Sequence, residues 1–133
     1  MSENQKNIDI TVVTNNGSGA SVFDKRRIAL HGNRMRMLSE QQGCENFRLR
    51  YSDAEYASGF HVAGDPTLLV MLSGVLRIHL RSGEGKDFSA GEMFIAEDYL
   101  DPGVEFNDNL HGHSAESISN QALQVLHLKL NRR

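Results

Sequence analysis

A chain of 133 residues, 39% apolar and 23% charged, suits one globular domain around a single core, and its formal net charge of −3 argues against a nucleic-acid surface or a basic membrane anchor. The lone cysteine, Cys44, excludes an internal disulfide, and no segment reaches the ~18 consecutive apolar residues that a membrane-spanning helix needs. The polar N-terminus, MSENQKNIDI, has no apolar run of signal length, so a cytoplasmic protein is expected.

Residues 1–7 are expected to form a flexible tail ahead of a single domain over 8–133. IDITVVT (8–14) is β-branched and predicts a strand, and NNGSGAS (15–21) predicts a loop. The Gly-x-Gly in that loop lacks the third glycine of a dinucleotide-binding turn, and no helical pattern follows it. RIALHGNRMRML (27–38) alternates partly about a Gly-Asn turn. NFRLRYS (46–52) alternates cleanly, with Phe47, Leu49 and Tyr51 on one face and Arg48 and Arg50 on the other. With Arg34 and Arg36, these arginines line either solvated strand faces, which general burial preferences favour, or a phosphate or carboxylate site. SDAEYAS (52–58) is the one short stretch that could make a helical turn.

Thr67–Leu72 is apolar on both faces, which predicts a strand packed inside and out, and Ser73-Gly74 turns it. VLRIHLR (75–81) puts Leu76, Ile78 and Leu80 on one face and Arg77, His79 and Arg81 on the other, so His79 is expected in solvent. SGEGKD (82–87) predicts a hairpin turn, Gly91 a second turn, and MFIA (93–96) a strand. A long polar loop around a short VEF segment (99–114) and a closing strand, ALQVLHLKL (122–130), complete the chain. Short strands joined by glycine turns predict an all-β fold. Closure protects strand edges, which favours a barrel or a two-sheet jelly roll with a pocket in its mouth.

Six histidines are present: His31, His61, His79, His111, His113 and His127. In an extended segment, HGH (111–113) would set His111 and His113 on one side, within reach of one ion. Two imidazoles and a third donor suit a divalent transition metal: Zn, Fe, Ni, Mn or Cu. Glu97 and Asp98 are either an acid–base pair near such an ion or surface charge at a strand end.

The run from Phe60 to Ser114 resembles the cupin superfamily, small β-barrels of the jelly-roll type. The first motif of that family reads Gly, five residues, His-x-His, three or four residues, Glu, six residues, Gly. LSG (72–74) looks like its end, which places Thr67 at the Glu position, Ala63 at the second His and His61 at the first. Gly91-Glu92 matches the start of the second motif, and FIAED (94–98) followed by GHS (112–114) puts His113 in the metal-ligand place. The resemblance implies a double-stranded β-helix (jelly-roll) barrel over about 46–130, with extra N-terminal strands and pairing into a homodimer. It implies a metal held by His61 and His113, to which His111, from the HGH spacing, could add a third donor. His127 would serve instead if it points inward, which the two-sided apolar LQVLHLKL does not decide. The same register sends Thr67, Leu69 and Met71 inward, toward a small, partly apolar ligand, and Leu68, Val70 and Leu72 toward another packing surface. Fold alone selects no reaction, and no catalytic residue is assigned. Three readings are open: a mononuclear metal enzyme, a metal-free small-molecule binder, and a structural homodimer without a ligand.

Overall fold

The structure, a computed structural model, describes residues 5–132. The β-branched and alternating segments form ten strands: β1 (Gln5–Asn15), β2 (Ser21–Asn33), β3 (Arg36–Leu38), β4 (Cys44–Ser52), β5 (Thr67–Ser73), β6 (Leu76–Leu80), β7 (Gly85–Phe88), β8 (Met93–Ala96), β9 (His113–Ser117) and β10 (Leu123–Leu130). They build a seven-stranded sheet, ordered β3-β2-β1-β8-β5-β10-β4, and a three-stranded sheet, ordered β7-β6-β9. β1 runs parallel to β8, and every other neighbouring pair is antiparallel.

The connection between β4 and β5 closes the small sheet on its free side. Ala57 pairs with Glu116 and His61 with His113, so residues 56–61 run along β9 as an irregular fourth strand. The order (56–61)-β9-β6-β7 then faces β4-β10-β5-β8, which is jelly-roll topology, with β1 to β3 appended beside β8. The all-β barrel with extra N-terminal strands expected from the sequence is the fold observed.

The core lies where the two inner faces meet. Val13, Met71, Phe94 and Val125 of the large sheet pack against Ile78 and Leu80 of the small one. Phe88 and Phe94 stack across the gap with ring centroids 4.3 Å apart. Phe94, Met71 and Ile78 are fully buried, each worth about 1.5–3 kcal/mol. Gly74 turns β5 into β6 with φ +76°; a Cβ there would stand 2.8 Å from the Ala122 carbonyl oxygen, so the turn needs glycine.

Several local expectations are corrected. β2 starts at Ser21, so residues 22–26 are strand as well. Their charges masked the pattern, yet they pair in unbroken register with β1, from Asn15↔Ser21 to Gln5↔His31. Residues 5–7 belong to β1 rather than to a tail, and residues 1–4 lie outside the described part. Residues 53–56 make a turn capped by the Asp53 carbonyl and carboxylate, not a helical turn, and β9 begins at His113, inside the segment expected as loop.

Pairing with β10 fixes the two faces of β4. Arg50 lies opposite Val125 and Arg48 opposite His127, on the parity that faces inward. Phe47, Leu49 and Tyr51 face outward and are 67%, 69% and 68% exposed. This inverts the ordinary burial preference. Among the described residues no helix is long and apolar enough to cross a membrane.

Candidate functional site

Asp98, two residues past β8, is the hub of the site. It is 0% exposed. Its Oδ2 accepts hydrogen bonds from Ser21 Oγ (2.6 Å) and from His113 Nδ1 (2.7 Å). Its Oδ1 accepts from the Ala63 amide (3.0 Å), and its carbonyl accepts from the Gly64 amide (2.8 Å). Burial alone would raise the pKa of this carboxyl. The bonds from His113, Ser21 and Ala63 outweigh burial and hold it below its ordinary value, so Asp98 stays charged. One acidic side chain thus ties together the start of β2, the chain entering β5, and β9.

His113 is 4% exposed, and its bond to the carboxylate fixes Nδ1 as the donor, leaving Nε2 as the free ring nitrogen. His61 is held beside it by reciprocal backbone bonds of 2.9 Å in each direction. The ring centroids are 4.7 Å apart. His61 Nδ1 donates to the Gly59 carbonyl at 3.0 Å, so its free nitrogen is also Nε2. Gly112 permits the approach: its φ is +86°, and a Cβ there would meet the His61 backbone oxygen at 2.6 Å.

The same glycine separates His111 from His113. The alternation expected of HGH needs an extended chain, and Gly112 breaks it. His111 is 7% exposed and packs in its own loop, where Nδ1 accepts from the Asn107 amide at 2.8 Å and the ring lies 5.9 Å from that of Phe106. Among the described residues no group of three or more His, Cys, Asp or Glu side chains is placed to hold a metal. The expected set of His61, His111 and His113 is therefore not assembled. Both Asp98 oxygens are occupied by hydrogen bonds, and His127, although it turns into the same cavity, completes no such group, so two imidazoles remain together, fewer than the three protein donors of an open metal site. The donor set does not fit a retained divalent ion. Glu97 is turned away too, in an ion pair with Arg26 at 3.0 Å.

Between the sheets lies a cavity of about 230 Å³. Leu69, Phe94, Ile78, Ala115 and Val125 supply apolar wall. His61 and His113 enter from the small-sheet side, and Arg50 and His127 from β4 and β10. Thr67 and Leu69 line it as the register required, whereas Met71 lies in the closed core and not in the wall. Ala63 and Thr67, the positions that the resemblance gives to His and Glu, both border the space. Sequence reasoning missed Ser21 and Tyr56; it set Arg50 between a solvated face and an anion site, and left the direction of His127 open. The available signal was the charged parity of β4, which alternates too regularly for a loop.

No protein-family model and no curated protein matches the sequence. Among solved structures, the chain is similar to the conserved SPY1581 protein of unknown function from Streptococcus pyogenes (15% identity, 73% of this chain and 71% of that one, TM-score 0.46). It is similar to protein NMB1881 from Neisseria meningitidis (16%, 69% and 84%, TM-score 0.43). It is also similar to the cupin domain of Schizosaccharomyces pombe Cnp3 (10%, 92% and 87%, TM-score 0.44). Likenesses at this level carry no argument about the site, which rests on its own geometry.

Proposed function

We propose that the protein is a metal-free binder of a small, partly apolar organic molecule, taken up between the two sheets. The observation that supports this is the cavity itself: apolar walls, with the Nε2 edge of an Asp98-oriented His113 as a fixed polar contact. At about 230 Å³ the space suits a ligand smaller than a typical drug. His113 would orient the ligand through Nε2, and His61 beside it would add a second ring nitrogen. A thermal-shift screen with benzoate, isovalerate, benzyl alcohol and isopentanol tests the reading. A binding compound at about ten times its Kd raises Tm by about 5 °C, and an Ala63→Leu variant, which narrows the cavity, loses that rise. No shift with any compound contradicts the reading.

A second reading concerns assembly. Phe47, Leu49, Tyr51, Leu72 and Met93 stand exposed on the outer face of the large sheet. They adjoin the half-buried Val70 and Leu126 across the β10–β5–β8 register. A patch of this kind marks an interaction surface. A second copy is its occupant, because one sheet face packs against its own symmetry mate in an isologous pair.

A further inference from the structure

We infer that the ligand of the cavity carries a carboxylate, bound by Arg50 and His127 under the added positive field of Arg48. This rests on the cavity reading and narrows it to a chemical class: a small organic acid with an apolar body.

The charge balance of the molecule points there. Arg26, Arg27, Arg77 and Arg81 each pair with a carboxylate. Lys129, two positions beyond His127, is paired with Asp65 at 2.8 Å. Arg48 and Arg50 have no carboxylate within ion-pair distance among the described residues, although both sit on the inward parity of β4. Together with Thr67, Ala63 and His127 they border one opening beside the cavity, and Arg50 and His127 also line the cavity wall.

Arg50 is held ready rather than loose. Its Nε donates to Ser52 Oγ at 3.1 Å, and its Cζ lies 4.5 Å from the centroid of the Tyr56 ring. Those contacts use the side and the face of the guanidinium. The terminal Nη edge stays open, a planar pair of donors that matches the two oxygens of a carboxylate. His127 adds the independent observation: its Nε2 is buried and has no hydrogen-bond partner. An unmade bond of this kind is costly, and natural proteins keep few of them. A ligand oxygen would complete it. The apolar wall next to these donors selects a body that bare phosphate lacks.

Calorimetric titration of the whole chain with matched pairs tests the inference: benzoate against benzamide, and isovalerate against isovaleramide. The acids are expected to bind at least about tenfold more tightly than their amides. Arg50→Gln is expected to abolish that preference, bringing the acid down to the affinity of its amide, and Arg48→Gln to reduce it in part. Equal affinity for acid and amide, or a preference that survives in Arg50→Gln, overturns the carboxylate and leaves the cavity reading standing. Binding of neither member of either pair overturns both.

Discussion

His127 shows how much one side chain can hide in a sequence. LQVLHLKL is apolar on both parities, so nothing in it says which way the imidazole points; only the register with Arg48 and Leu69 turns it inward. There burial first, and then the nearby charges of Arg50 and Arg48, push its pKa below the ordinary 6.5. Asp65 and Lys129, the other charged groups at this opening, are paired to each other. The unfolded chain takes up this proton near pH 6.5, and the native chain only at lower pH. Between those values the unfolded state binds more protons, so stability falls as the solution is acidified. His127→Leu removes both this slope and the unmade hydrogen bond. Urea unfolding in carboxylate-free buffer is expected to show the variant more stable by about 1 kcal/mol at pH 7.5, and losing less stability than the parent on going to pH 5.5. Equal losses would contradict the placement of His127. Asp98 is the opposite case. Its place at the end of a strand suggests surface charge as readily as function, and only long-range packing brings Ser21 and His113 onto the same carboxylate.

At the scale of elements, β4 is the most instructive strand. Its alternation is plain in NFRLRYS, so the strand and its two faces are legible. Which face turns inward is not, because burial preference favours Phe47, Leu49 and Tyr51 and the fold chooses the arginines. The inner side of β4 looks onto the opening of the cavity, where charge can remain hydrated, while its outer side joins the apolar outer face of the large sheet. If that face pairs two copies, sedimentation equilibrium will show a dimer at about 100 μM, and a Phe47→Glu, Leu49→Glu variant will sediment as a folded monomer. The variant should keep its fold, since both side chains point to solvent in the single chain. A monomeric parent, or a variant that remains dimeric, would contradict the assembly. The HGH segment misleads in a related way: its spacing suits two rings on one side of an extended chain, and the positive φ of Gly112 sends the two histidines to different surroundings.

For the whole molecule, glycine turns and short β-rich runs carried the fold: β6 declares its period locally, β5 and β10 show as apolar runs without a readable face, and β9 follows the long 97–112 connection without a strand signal of its own. The site was less legible because it depends on closure. Residues 56–64 have no strand pattern, yet they bring His61 to His113 and Ala63 to Asp98, and so shape one side of the cavity. The ¹H–¹⁵N spectrum of the labelled chain titrated with isovalerate tests uptake between the sheets most directly. A ligand seated there is expected to shift the Ala63, Leu69, Ala115 and Val125 amides around the cavity. An unchanged spectrum, or shifts confined to the outer face around Leu49 and Leu126, would contradict it.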